Sequence, residues 1–213
     1  MGQYYHGIIL GTRVKKQVEK VVNWVYSDDI KTTWKRDDGT KISMGNGLKL
    51  MEHSYRKNGF VNAFETLIAD NPQRVVWAGD YADNEPDQKI TVKEEKELNG
   101  VKYLVDVEEE VNLYGLCDDD TKIIPKARRK EYRFVINHTK KCYVDKRKVP
   151  KFNGNWQLHP LPILTCEGNL RGGGDFFSKD DNKIVGTWAR DVISVNDIKP
   201  IGFNELIFNL IEE

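Results

Sequence analysis

Hydrophobic and polar positions alternate through most of the second half of the chain and keep a helical spacing only briefly in the first. Residues 4–10, YYHGIIL, are short, β-branched and aromatic, which predicts a strand. Val14, Val18, Val21, Val22 and Val25 recur at helical spacing, yet Val22, Trp24 and Tyr26 also alternate. The preference of valine for sheets tips 21–26 towards a strand. The polar stretch 28–45, broken by Asp38-Gly39, predicts a loop or small hairpin inserted in the domain. A helix is predicted over 47–55 and a second over 60–69. In the latter, Phe60, Phe64, Leu67 and Ile68 share one face, and Asn71-Pro72 ends it.

From Arg74 onward the pattern changes to strands. RVVWAGDYAD reads as one. QKITVKEEKEL and VKYLVDVEEEV read as two more, joined at Asn99-Gly100, a strong hairpin signal, inside a hairpin insertion over 84–130. KEYRFVINHTKKCYVDK predicts a hairpin turning at 137–141, and KIVGTWARDVISV a late strand. Residues 203–211 predict an edge strand or short helix. The expected fold is therefore α+β over a single domain, 1–213. Its sheet is mixed and mainly antiparallel, and two helices from the N-terminal half pack on it.

Composition narrows the class. The chain has 213 residues, 31% of them charged, and no apolar run near the ~20 residues a membrane helix needs. With no signal-peptide pattern and three scattered cysteines (Cys117, Cys142, Cys166) in no CxxC arrangement, the expectation is a cytoplasmic protein with free thiols and no membrane partner. Net charge is zero but segregated. Residues 80–120 hold 14 acids and 4 bases, and residues 122–151 hold 12 bases and 2 acids. Neighbouring strands whose exposed faces pair would explain this. A basic 122–151 face for nucleic acid or an acidic partner is the alternative, and the scarcity of stacking aromatics there counts against it.

The chemistry-bearing candidates gather around EGNLRGGGDFF, 167–177. Three consecutive glycines cost about 2–3 kcal/mol in chain entropy, so a turn or a ligand must offset them. Arginine is the usual bidentate partner of phosphate or carboxylate, and consecutive backbone N–H groups can nest an anion. Asn169, Arg171, Gly172, Gly173, Gly174 and Asp175 are thus candidate ligand contacts. The stretch is no P-loop, since GK[ST] is missing. Trp77-Ala78-Gly79-Asp80 and Trp188-Ala189-Arg190-Asp191 share the pattern W-A-x-D. If both are strands and neighbours, alternation places Asp80 and Asp191 beside Ala78 and Ala189 on one shallow floor with room for a ligand. Both aspartates could instead cap strand ends.

His159, in the stiff segment HPLP, is a candidate acid or base near Asp175. The histidines form no HxH, HxxxH or HExxH spacing, so no metal site is expected from them. In a hydrolase reading, two of Asp80, Asp175 and Asp191 would hold a divalent metal or act as acid and base, with His159 assisting.

MGQYYHGIIL, GNGLKLMEHS, VVWAGDYAD, YRFVINHTKKCYVD, HPLPILTCEGNLRGGGDFF and VGTWARDVISV together resemble a group of bacterial and bacteriophage proteins that begin MGQYY and have no established activity. The likeness spans nearly the whole chain. Leu170 stands where that group usually has glycine, and Phe176 where it usually has an aromatic hydroxyl. The resemblance implies a phage-derived protein. The residues imply a pocket for a small anionic or nucleotide-like ligand.

Overall fold

The computed structural model describes residues 4–10, 24–26, 33–35, 41–43, 48–49, 54–69, 71–86, 88–116, 121–123, 128–151, 156–168 and 184–210. The strands in chain order are β1 (Tyr4–Leu10), β2 (Trp24–Tyr26), β3 (Thr33–Lys35), β4 (Lys41–Ser43), β5 (Leu48–Lys49), β6 (Gln73–Gly79), β7 (Lys89–Leu98), β8 (Val101–Glu110), β9 (Thr121–Ile123), β10 (Phe134–Asn137), β11 (Cys142–Asp145), β12 (Cys166–Glu167), β13 (Val192–Asn196) and β14 (Asn204–Glu205). Three described helices accompany them: α1 (Gly59–Ile68), α2 (Leu113–Leu116) and α3 (Pro160–Thr165). The mixed sheet runs β14-β11-β10-β13-β6-β1-β5, with β12 also paired to β6. Among the described residues no helix is long and apolar enough to cross a membrane.

Alternation along β6 sets the two faces of the sheet. Val75 and Trp77 point into the larger core, with Tyr5, Val135, Val195, Leu161 and Trp188. Val76 and Ala78 point into a smaller one, with Ile8, Leu10, Leu113 and Ala189. α1 covers the larger core. Asn58 caps it, its carboxamide oxygen accepting from Phe60 N–H (2.8 Å) and Val61 N–H (3.1 Å). Phe64 and Phe60 then meet the Trp77 ring edge-on, with centroids 4.7 Å and 6.0 Å apart. Gly7 faces Trp77 across the β1–β6 ladder, and the indole occupies the space a side chain would need. A Cβ at residue 7 would lie 2.7 Å from Trp77 Cη2 and 3.0 Å from Phe64 Cδ2.

Several sequence expectations are met. β1, α1, β6, the β10–β11 hairpin and the edge position of β14 lie where the pattern places them. So does the ribbon β7–β8, whose turn has both Asn99 (φ 55) and Gly100 (φ 79) left-handed. Four expectations are corrected. The predicted helix over 47–55 is not formed at its described positions: Leu48–Lys49 pair with β1, and Tyr55 bridges Leu158. Only one described helix from the N-terminal half packs on the sheet, because β-ladder hydrogen bonds to β1 claim the other segment. The late strand begins at Val192, since 184–190 is a run of turns. The acidic and basic stretches do not pair as neighbouring strands either: β7 and β8 pair with each other alone, while β10 and β11 lie within the main sheet.

α2 and α3 are helices the pattern misses. Pro160 sits at the first turn of α3, where its missing N–H costs nothing, and His159 precedes it in an extended conformation. The His159 ring caps the helix, Nδ1 accepting from Leu161 N–H at 3.2 Å.

Candidate functional site

β12 and β13 line the same edge of β6. Val192 pairs with Arg74, and Cys166 and Glu167 pair with Trp77 and Ala78. The second W-A-x-D segment is the turn between them. Trp188 N–H donates to Leu164 O (2.7 Å), Gly186 N–H to Ile163 O (2.9 Å) and Arg190 N–H to Val75 O (2.7 Å). Both ends of the 169–183 segment, Glu167-Gly168 and 184–190, are thereby fastened beside α3 and β6. The expected side-by-side placement of the two motifs holds for their first residues. Trp77 and Trp188 share the larger core, and Ala189 packs against the cluster that contains Ala78.

It does not hold for the aspartates. Asp191 lies beside Val75, whose N–H donates to Asp191 O (3.0 Å), whereas Asp80 is five residues further along β6, about 16 Å at strand rise. Each aspartate supports a turn. Asp80 Oδ1 accepts from Tyr4 N–H (3.0 Å), and Asp80 N–H donates to Tyr4 O (2.8 Å). Asp191 Oδ2 accepts from Asn137 Nδ2 (2.8 Å), with Lys140 Nζ at 3.6 Å. Asn169, Arg171, Gly172, Gly173, Gly174 and Asp175 lie outside the described residues.

Ala78 is buried within its core cluster and forms no open floor, and the two carboxylates gathered at the second motif are Glu85 and Glu167. Arg190 stands between them with φ 66, a left-handed conformation rare for a side chain of this size. Its Nε donates to Glu167 Oε2 and its Nη2 to Glu167 Oε1, both at 2.7 Å. Nη1 donates to Glu85 Oε2 at 3.0 Å, and Nη2 also bonds Glu85 Oε1. The Arg190 side chain is 26% exposed, Glu85 10% and Glu167 3%. Burial works against the charged guanidinium, but hydrogen bonds to Glu167 and Glu85 and the charges of both carboxylates outweigh it, so its pKa is raised. His6, on the same face as its cross-strand partner Ala78, stacks on Tyr114 with centroids 3.8 Å apart.

A second polar cluster lies in the larger core. Glu65, Lys146 and His159 are each fully buried. Lys146 Nζ donates to Glu65 Oε1 at 2.5 Å, and Tyr132 N–H donates to Glu65 Oε2 at 3.0 Å. Because His159 Nδ1 accepts from Leu161 N–H, the ring proton sits on Nε2, 3.3 Å from Glu65 Oε1, to which it donates. Glu131 Oε1 lies 4.0 Å from Lys146 Nζ and takes Arg56 Nε at 2.6 Å. Two anions, two cations and a neutral imidazole make a balanced set, as burial requires. Burial lowers the His159 pKa and the charge of Lys146 adds to this, against the pull of Glu65. Burial alone would raise the Glu65 pKa; the charge of Lys146 and hydrogen bonds from His159 and Lys146 bring it below the ordinary value. His159 is thus a capping and core residue, and its imidazole faces Glu65 and Lys146.

No family model, curated protein or solved structure matches the chain. The site is therefore read from its own residues. Among those described, no group of three His, Cys, Asp or Glu is placed to hold a metal ion. The pattern marks Glu167 only as the residue opening the glycine stretch, and nothing marks Glu85. Lys146 sits in a run of basic residues that reads as solvated, so its burial has no sequence signal.

The buried cluster gives stability a definite pH slope. The unfolded chain takes up a proton on His159 near pH 6.5, whereas the folded chain resists it, so stability falls as pH drops from about 7.5 to 5.5. Glu65 and Asp145, both lowered, contribute above their unfolded values and lose that contribution at still lower pH. Urea midpoints should decline across this window. His159→Asn keeps a capping oxygen but cannot titrate, and should flatten the decline; His138, also lowered by burial, retains the remainder.

Proposed function

We propose that this is a cytosolic binding protein for a small anionic or nucleotide-like ligand, received by the glycine-rich stretch that Glu167 opens. The observation that carries this reading is the Glu85–Arg190–Glu167 clamp at the base of the 169–183 segment. Four donor contacts from one guanidinium hold the two glutamates still and offset one of their two charges. In this reading Arg171 and the amides of Gly172–Gly174 receive the anion, flanked by Asn169 and Asp175.

The test is thermal-shift and calorimetric titration of the full chain with inorganic phosphate, nucleotides and sugar phosphates. A true ligand at 100 times its Kd should raise Tm by about 5–11 °C. Arg171→Ala should abolish the shift without changing the Tm of the free protein. Absence of any shift across the panel, or unchanged binding by Arg171→Ala, would overturn the reading.

A further inference from the structure

Four Asn-Gly pairs occur in the chain, at Asn46, Asn58, Asn99 and Asn153, and two of them lie within the described residues. Such a pair carries its own reaction. The next backbone nitrogen can close a five-membered ring on the asparagine Cγ, and glycine puts no side chain in its way. The structure gives the two described pairs opposite surroundings.

Asn58-Gly59 is closed. Asn58 is 6% exposed, and its Oδ1 accepts from Phe60 N–H (2.8 Å) and Val61 N–H (3.1 Å). Its own N–H donates to Tyr55 O (3.3 Å), and its carbonyl accepts from Asn62 N–H (3.0 Å). Turning its Cγ onto the Gly59 nitrogen would break both cap bonds of α1. Asn99-Gly100 is open. It is the two-residue turn of the β7–β8 ribbon, and both residues are exposed. No described residue hydrogen-bonds the Asn99 carboxamide, and no described atom lies within 4 Å of where a Cβ of residue 100 would stand. The pair that closes the turn, Leu98 and Val101, is 63% and 66% exposed, so parting it uncovers little further apolar surface. β7 and β8 pair with no third strand among the described residues, and the end of a lone two-stranded ribbon opens at small cost.

We propose that Asn99-Gly100 is a modification site of the folded chain, where Asn99 loses its amide as ammonia, and that Asn58-Gly59 is protected from the same reaction. The Gly100 nitrogen gives up its proton to solvent and bonds to Asn99 Cγ. The Cγ–Nδ2 bond breaks, and the leaving nitrogen takes a proton back from solvent as it departs as ammonia. Water then opens the cyclic imide. Attack at Cγ breaks its bond to the Gly100 nitrogen and gives aspartate. Attack at the Asn99 main-chain carbonyl carbon gives isoaspartate, with the chain now running through Cβ and Cγ. The sum is one water consumed and one ammonia released, with no oxidant or cofactor. Either product adds a negative charge two residues from Glu97. Isoaspartate also lengthens by one backbone atom a turn whose geometry depends on two left-handed residues, so the damage falls on the ribbon and spares the main sheet.

The test is ageing of the full chain at mildly alkaline pH, with peptide mapping by mass spectrometry at intervals, beside the same chain in concentrated urea. In urea the two pairs should convert at similar rates, since they share the reacting dipeptide. In the folded chain Asn99 should stay within about tenfold of its urea rate, while Asn58 should convert about tenfold or more slowly than Asn99. An isoaspartate-specific methyltransferase should label the Asn99 peptide of the aged chain. Asn99→Gly, which suits the same turn, should remove that label and keep the hydrogen-exchange protection of β7 and β8. An Asn99 rate more than about tenfold below its urea rate would mean that the turn itself protects the residue. Asn58 converting as fast as Asn99 would mean that the cap protects nothing. Either result overturns the proposal.

Discussion

Lys146→Met is expected to destabilise the protein by about 3–5 kcal/mol, the cost of leaving a buried charge without its counter-ion. Glu65 would keep its hydrogen bonds from Tyr132 N–H and His159 Nε2 but lose the one full cation within bonding distance. Removing both charges, as Glu65→Leu/Lys146→Met, should not recover the whole loss. Tyr132 N–H and His159 Nε2–H would then lack an acceptor, at about 1–3 kcal/mol each. The single variants and the double form a cycle whose coupling energy isolates the pair. Urea unfolding at pH 7.5, followed by far-UV circular dichroism, measures all three. A loss under about 1 kcal/mol in Lys146→Met, the range typical of exposed pairs, would mean that the ammonium is solvated and the cluster is not closed.

The second large effect is expected at Arg190. Arg190→Ala removes both bidentate contacts and leaves Glu85 and Glu167 facing one another, each nearly buried, with a cost again of about 3–5 kcal/mol. Arg190→Gly loses the same contacts but relieves the left-handed backbone, and should be more stable than Arg190→Ala by about 1 kcal/mol. The difference between the two separates backbone strain from ion pairing. If Arg190→Ala melts within about 0.5 kcal/mol of the parent, the clamp contributes little and cannot be what holds the base of the glycine segment.

How far the sequence could be read depended on how much of each element's physics is local. The ribbon was legible because Asn99-Gly100 sets its turn and apolar residues alternate on either side of it, at Ile90 and Val92 and at Val101, Tyr103, Val105 and Val107. α1 was legible from Phe60, Phe64 and Ile68 on one face. The segment at Leu48–Lys49 was misread because its hydrogen-bond partners in β1 lie over forty residues away. At the site, alternation correctly sent Trp77 and Ala78 to opposite faces of β6. The same rule failed in the second motif because residues 188–191 form a turn, where a period of two has no meaning. Ala189 therefore packs against the cluster that contains Ala78, while the carboxylates at the second motif came from Glu85, which nothing in sequence marks, and Glu167, marked only as the residue opening the glycine stretch. Lys146 and Glu65 show the same limit: a buried ion pair contributed by two distant elements leaves no mark on either segment.

The contact between Gly7 and the Trp77 indole binds the histories of two positions. A residue larger than glycine at 7 can be accommodated only once the ring opposite has shrunk, and a smaller residue at 77 would leave a hollow over 7 that invites filling. Substitutions at the two sites should therefore arrive in pairs among diverging versions of this chain, large with small.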